Sequence, residues 1–285
     1  MNRRLQDLTE DELTAHLRGN LRQRAQGIGI GDDCAVVEGN RLLKVDCVTE
    51  GRHYLPETSA IMVGRKAIAR VMSDFAAMGG VPDSFLVTCG LRSSTPLAYI
   101  TELYRGMDKI CEELGGYIIG GETCAVPEGA PQFFSITGYG HCLGAPILRS
   151  GAKVMDLIFV TGALGNSFQS DHHLEFTPRL EAARWLVEKA TPTAMMDLSD
   201  GLARDLPRIT KASQVGYQID QGVLPLRSGA TTETALTDGE DYELLFTLSP
   251  EKATALAEAP FLVTQIGTVT ETTLTPLVGG WDHLE

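Results

Sequence analysis

The sequence predicts a two-domain protein of mixed α/β and α+β class, with an N-terminal sheet-and-helix domain followed by a C-terminal α+β domain. The chain has 285 residues, which at about 150 residues per domain corresponds to two domains. Hydrophobic residues make up 43% of it, enough for a buried core. Strand-like and helix-like stretches alternate in two blocks, which we divide at residues 1–145 and 146–285.

The first block begins with a polar stretch, residues 1–25, that predicts a helix leading into a loop. Apolar residues then recur at steps of three or four over 60–78 and over 96–114. This spacing predicts two amphipathic helices, each ended by a glycine pair. The strands predicted in this block, from short apolar or alternating runs, are 42–48, 84–91, 117–119 and 132–139.

The second block follows a connector at 143–153 and opens with the apolar run 157–161, which predicts a strand. Helices and strands alternate after it, which is the pattern expected of an α+β domain. The helices are predicted over 178–190 and from residue 200 or 201 onward, and the further strands at 194–198, 217–220, 242–248 and 263–269.

Charge and composition exclude several classes of protein. Lys and Arg number 24 against 37 Asp and Glu, and the resulting net charge of −13 argues against a broad nucleic-acid or anionic-membrane surface. No apolar run approaches the ~18 residues of a membrane helix, and the N-terminal Arg pair has no apolar core after it, so we expect no secretory signal. The six cysteines form no CxxC pair, which predicts buried thiols in a reducing cytoplasm.

Acidic residues at apolar strand ends and beside glycines are the most informative feature. Taken singly, each has a structural explanation: a turn, an edge strand, a helix cap by Asp197 or Ser199, or a pair between Asp74 and Arg70 one helical turn apart. Their recurrence together predicts a shared Mg²⁺ site, and through it a polyphosphate ligand, because Mg²⁺ combines carboxylate and phosphate oxygens. No Walker loop is present. The acidic positions are Asp32 with Asp33, Asp46, Asp74, Glu122, Asp197 with Asp200, and Glu240 with Asp241.

With these acids in view, the sequence resembles the thiamine-monophosphate kinases of the aminoimidazole-ribonucleotide-synthetase-like superfamily, from about residue 29 to 284. The acidic motifs alone indicate the superfamily, whereas SDFAAMGGVP together with GEDYELLFT makes the kinase branch the closer match. The matching segments include GIGDDCAVV (29–37), VDCVTEGRHY (45–54), SDFAAMGGVP (73–82), GGET (120–123), DLSDGLARDL (197–206) and DGEDYELLFT (238–247).

The resemblance implies ATP-dependent phosphorylation of thiamine monophosphate to thiamine diphosphate with several Mg²⁺ ions, in a cytoplasmic homodimer that dimerises through the N-terminal sheet. It implies Asp33, Asp46, Asp74, Asp197, Asp200 and Glu122 as metal ligands, with the backbone carbonyls of Lys44 and Val45, and among these Asp33, Asp46, Asp74 and Asp200 as catalytic. It implies Tyr104, Gly121, Glu122, Arg149 and Ser199 as ATP contacts, and His53, Glu240 and Leu284 on the thiamine-phosphate side.

Because the acceptor phosphate is already anionic near neutral pH, we expect direct in-line transfer without a strong general base or a phosphoenzyme. The chain departs from the family pattern at Lys44 and Val45, where the family has Ser-Thr, and at Glu122, where it has Asp. Two alternatives stay open. One is another ATP-using enzyme of the superfamily with a different acceptor, and the other is a nucleotide-binding regulatory protein without turnover.

Overall fold

The N-terminal half is a five-stranded sheet with two long helices on one face. The computed structural model describes residues 4–22 and 27–282, so Leu284 lies outside the described residues. The strands lie in the order β1-β2-β5-β3-β4, antiparallel except for the β3–β4 pair. The elements are α1 (Glu10–Asn20), β1 (Ala35–Val37), β2 (Arg41–Thr49), α2 (Ala60–Ala77), β3 (Gly80–Arg92), α3 (Leu97–Leu114), β4 (Tyr117–Val126) and β5 (Phe133–Cys142).

Helix α2 is the central element of the molecule. Its start is capped by Ser59, whose side chain accepts a hydrogen bond from the Met62 amide. Almost every α2 residue is buried, because the helix packs on β2 and β5 on one side and on the C-terminal half on the other. It also lies very close to α3. A Cβ on Gly64 would come within 2.0 Å of the Leu103 carbonyl oxygen, so only glycine permits this approach.

The C-terminal half is a second five-stranded sheet, with strand order β7-β9-β6-β10-β8 and every pair antiparallel. Strands β7 and β9 are buried along their whole length. Its elements are β6 (Leu157–Thr161), α4 (His172–Glu175), α5 (Leu180–Lys189), β7 (Ala194–Asp197), α6 (Leu202–Ser213), β8 (Gly216–Ile219), α7 (Thr232–Thr237), β9 (Leu244–Leu248), α8 (Pro250–Ala253) and β10 (Val263–Thr270).

The two sheets confirm the predicted two-domain class, while the division between residues 145 and 146 stays a prediction. Strand β3 was predicted over 84–91 but spans Gly80–Arg92, and β4 does not end before its two glycines but runs through them to Val126. For β4, glycines can continue the strand. The reason is packing, because a Cβ on Gly121 would lie 1.9 Å from the Val87 carbonyl oxygen of the neighbouring strand. None of the helices in the described residues is long and apolar enough to cross a membrane.

Candidate active site

Three buried aspartates converge between the two domains. Asp33 lies just before β1, Asp74 lies on α2 and Asp197 ends β7, and one carboxylate oxygen of each lies within 4.8 Å of the others. Within residues 4–22 and 27–282, the Asp33 Oδ2 atom is buried and has no hydrogen-bond partner. Clustered carboxylate oxygens, one of them unsatisfied, are a donor set that fits a divalent cation such as Mg²⁺. We refer to these three residues as the carboxylate cluster.

The electrostatics of the carboxylate cluster point the same way. Burial raises the pKa of Asp74, with a further increase from the neighbouring carboxylates and an opposing effect of Lys44. Burial, and then the charge of Asp33, raise the pKa of Asp197 to about 6, although a hydrogen bond of 2.6 Å from Ser73 Oγ opposes this. Carboxylates that resist ionisation together are stabilised as anions by a cation placed among them.

Two basic side chains reach the carboxylate cluster. The Lys44 Nζ atom lies 2.6 Å from Asp74 Oδ1, and the Arg149 Nη2 atom lies 2.5 Å from Asp33 Oδ1. Asp74 and Asp46 raise the pKa of Lys44 despite the opposing effect of its burial, so this side chain is an ammonium ion. The resemblance implied the backbone carbonyl of Lys44 as a metal ligand. In the structure, the side chain of Lys44 contacts the cluster.

Asp46 lies on the same face of β2 as Lys44 but has a different partner. Arg70 on α2 donates to both Asp46 carboxylate oxygens, each at 3.2 Å. Burial alone would raise the pKa of Asp46, but Arg70 and Lys44 outweigh it and lower the value. The alternative that Arg70 pairs with Asp74 along the helix is wrong, because Arg70 reaches across to β2.

Asp200 lies beside a buried ion-pair network that the sequence did not indicate. Its carboxylate lies 2.6 Å from Arg208 Nη1, which also contacts Asp205 at 2.8 Å. The Asp205 carboxylate accepts hydrogen bonds from the backbone amides of Ser199 and Asp200. The helix-cap explanation of Asp197 and Ser199 is wrong, since α6 begins after Gly201 without a side-chain cap. This network instead fixes the loop that follows β7.

Two cavities adjoin at the cluster. The first, of 460 Å³, is lined by the carboxylate cluster, Lys44, Asp46 and Arg149. The second, of 410 Å³, has aromatic and basic walls that include Arg52, His53, Phe168 and Trp281, and one acidic side chain, Glu240. Four residues line both cavities and so form their border: Arg70, Ser199, Asp200 and Tyr242.

A fully buried lysine connects residues from different parts of the chain beside the second cavity. Lys66 on α2 donates to the His53 carbonyl oxygen at 2.6 Å and to Glu240 Oε2 at 2.7 Å, and its Nζ lies 2.9 Å from His173 Nδ1. Burial would raise the pKa of Glu240, but Lys66, His173 and Arg70 lower it well below the ordinary range, so Glu240 is a carboxylate. Sequence reasoning missed Lys66 and His173. The signal available for Lys66 was the recurrence of charged residues at every fourth position, 66, 70 and 74, along a largely apolar helix, and His173 had no comparable signal.

Three other residues singled out in the sequence, Gly121, Glu122 and Tyr104, do not line the cluster's cavity within one chain. Asp46 shares its strand-pairing row with Gly121 on the helix-covered face, whereas Cys47 shares the next row with Glu122. Successive side chains alternate between faces, so Glu122 lies on the opposite, open face. It is also three strands from β2, roughly 14 Å at ~4.8 Å per strand. Val45 lines the first cavity although its side chain lies on the open face, and Tyr104 Oη contacts Cys89 Sγ at 3.6 Å.

The fold and the cluster define a class of protein. Residues 31–142 match the family model of the AIR synthase related protein N-terminal domain, and residues 150–278 match that of the C-terminal domain. The chain is 35% identical to the thiamine-monophosphate kinase of Rhodopirellula baltica, covering 91% of this chain and 89% of the relative. It is 31% identical to the thiamine-monophosphate kinase of Bacillus subtilis, covering 88% of each. The chain therefore belongs to the thiamine-monophosphate kinase family of the AIR synthase related proteins.

A solved structure agrees with this membership. The structure described as AaThiL complexed with AMPPCP and TMP superposes with a TM-score of 0.87 at 28% identity, over 99% of both chains. A second structure, thiamine monophosphate kinase from Aquifex aeolicus, superposes with a TM-score of 0.83, also at 28% identity, over 97% of this chain and 100% of that one. Both domains of the chain are thus matched in their relative arrangement.

Proposed function

We propose that the protein transfers the γ-phosphoryl group of ATP directly to the phosphate of thiamine monophosphate, giving thiamine diphosphate. The observation that carries this proposal is the pair of adjoining cavities. The acidic cavity suits a nucleotide triphosphate held through metal ions, and the aromatic cavity suits a flat heterocyclic phosphate. A group passing between two substrates held in this way would cross the border formed by Arg70, Ser199, Asp200 and Tyr242, and this arrangement would allow in-line displacement.

On the donor side, the carboxylate cluster would hold Mg²⁺. When bound, Mg²⁺ would neutralise negative charge on the phosphate oxygens of ATP. Arg149 adds a fixed positive charge beside Asp33, and its amide donates to Asp32 Oδ1 at 2.8 Å, which anchors the connector between the domains. Asp46 and Asp200, each paired with an arginine, complete the acidic wall.

On the acceptor side, Arg52, His53 and Arg70 provide the basic groups that an incoming phosphate requires. The thiazolium ring of thiamine carries a permanent positive charge, which the Glu240 carboxylate would stabilise. Trp281 lines the same cavity, with the Arg52 guanidinium 5.3 Å from its ring centroid, and provides a flat surface for a ring to stack against. The described residues therefore offer Trp281, rather than Leu284, as an aromatic wall.

The test is a phosphoryl-transfer assay with purified protein, ATP and Mg²⁺. We expect thiamine diphosphate from thiamine monophosphate, and no comparable product from thiamine or from aminoimidazole precursors. Incubation with γ-labelled ATP alone should leave no label on the protein, because transfer is direct. Covalent label would contradict direct transfer, product from another acceptor would indicate a different enzyme of the superfamily, and ATP binding without any product would indicate a regulatory protein.

We also propose that two copies pair through the open face of the N-terminal sheet. Val45 on β2 is 61% exposed and Tyr117 on β4 is 75% exposed, and Leu86 on β3 lies between them on the same face. An apolar sheet face of this kind is typical of a buried interface. A partner subunit packed on this face would also bring its own carboxylate cluster closer to Gly121 and Glu122. Within one chain, these two residues lie far from the cluster.

We expect Val45→Glu to convert the homodimer into a monomer, because it places a charge on the apolar face. Sedimentation velocity over a range of protein concentrations measures this. The matched control is Leu97→Glu, which adds the same charge at a residue that is 80% exposed at the start of α3, away from that face. A Val45→Glu protein that sediments as the wild-type chain does would contradict the proposed interface.

The cysteines support a cytoplasmic location as part of this proposal. All six lie in the described residues, all six are free thiols, and four of them are buried. Free, buried thiols are typical of proteins that work in a reducing compartment, where the thiols stay unpaired. The expected partners are ATP and thiamine monophosphate, with no nucleic acid and no membrane.

A further inference from the structure

Lys44 brings a positively charged side chain into the carboxylate cluster. It extends from β2 toward α2, on the face where its neighbours Leu42 and Val48 are buried. Its ammonium group donates to Asp74 Oδ1 at 2.6 Å, a length typical of a strong charge-assisted hydrogen bond. An oxygen engaged in this way is less available to a divalent ion.

The local charge balance shows the consequence. Three ionised carboxylates alone would carry a charge of −3, which strongly attracts a divalent cation. Lys44 on Asp74 and Arg149 on Asp33 reduce that charge to −1 without any metal. Asp33 Oδ2 has no hydrogen-bond partner within the described ranges, 4–22 and 27–282, so this oxygen remains available to bind a cation. The cluster is therefore partly neutralised and partly open.

We propose that Lys44 is a tethered cation that takes one cation position of the carboxylate cluster. Without nucleotide, the protein then binds divalent ions weakly at this cluster. The ions enter together with the nucleotide, whose phosphate charge offsets the repulsion from Lys44. This inference rests on the proposed divalent-cation role of the cluster but not on the identity of the phosphate acceptor.

The experiment counts Mn²⁺ ions bound to the full chain by electron paramagnetic resonance, first without nucleotide and then with AMPPCP. We expect Lys44→Met to bind one more Mn²⁺ than the wild-type chain without nucleotide, or to bind it about tenfold more tightly, because a positive charge close to the ion is gone. Lys44→Arg keeps the charge and should behave as the wild-type chain does. Lys109→Met is the matched control, because it removes the same charge from the exposed face of α3.

Equal Mn²⁺ number and affinity in the wild-type chain and Lys44→Met would overturn the role of Lys44 alone. An absence of Mn²⁺ binding in every protein, even with AMPPCP, would overturn the metal role of the cluster as well. If Lys44→Met does not fold, a measurement on the wild-type chain tests the proposal instead.

The nuclear magnetic resonance signal of the ¹⁵N-labelled Lys44 ammonium group, assigned by its loss in Lys44→Arg, should persist when Mg²⁺ and AMPPCP are added. Its disappearance into fast solvent exchange would show that metal displaces Lys44 from Asp74.

Discussion

Asp74→Asn is expected to lower kcat for thiamine diphosphate formation by about 10²- to 10³-fold. Asp74 contributes one of the three converging carboxylates, and the loss of a metal-held contact to the transferring phosphoryl group is worth about 3–4 kcal/mol. Steady-state kinetics with saturating ATP and Mg²⁺ measure this effect. Because an asparagine removes repulsion from a crowded anionic cluster, we expect the variant to fold, and a thermal melt in EDTA checks this point.

The matched control is Asp108→Asn, which removes the same charge from an exposed position on α3. It should leave kcat unchanged, and this separates the local effect from the change in net charge. An Asp74→Asn protein with nearly wild-type turnover would remove Asp74 from the metal ligands. A variant that fails only at low Mg²⁺ would instead show that Asp74 sets metal affinity without contributing to the chemical step.

Lys66→Met is expected to lower the free energy of unfolding by about 3–5 kcal/mol, because it leaves Glu240 without its main cationic partner. The Lys66 side chain is fully buried and that of Glu240 is 23% exposed, so water compensates little of this loss. Urea unfolding followed by circular dichroism measures the change. The double variant Lys66→Met, Glu240→Gln should recover part of the stability because the uncompensated charge is gone.

Equal stability of the single and double variants would contradict this explanation, and Lys109→Met serves again as the surface control.

The pKa of Lys66 also determines how the free energy of unfolding changes with pH. Burial lowers the pKa of Lys66 from 10.5 to about 8, so between these values the unfolded chain holds more protons than the folded one. The contribution of Lys66 to the free energy of unfolding therefore rises with pH in this window. We expect the stability difference between the wild-type chain and Lys66→Met to grow from pH 8 to pH 10.

The sequence predicted the helices α2 and α3 well because their apolar residues recur with helical spacing over many turns. It also predicted that Asp33, Asp46, Asp74 and Asp197 would gather, and Asp33, Asp74 and Asp197 do so, whereas Asp46 pairs with Arg70. Acids placed at strand ends or among apolar residues cannot all be solvated, so their positions already restrict where they lie in the fold. The same recurrence of acids predicted a divalent metal and a polyphosphate ligand. The resemblance to a known family then supplied ATP and thiamine monophosphate as the substrates, and the roles of the metal and of the individual residues stay predictions.

The basic residues of the site could not be predicted in the same way. A lysine or arginine on a helix is normally taken as solvent-exposed, and only a distant partner makes its burial tolerable. For Lys66 that partner is Glu240, 174 residues away in the sequence. The face occupied by Glu122 was equally hidden, because it depends on the register of β3 against β4, which shifts between Phe85 and Leu86.

Helix α2 carries Lys66, Arg70 and Asp74 at intervals of four residues, each in a different part of the site. At 1.5 Å per residue, the backbone positions of Lys66 and Asp74 lie about 12 Å apart along the helix axis. If the two substrates bind in the two cavities as proposed, this one helix sets the distance between them. Inserting or deleting a single residue within this span would turn one end by about 100° against the other and put both substrates out of alignment at once.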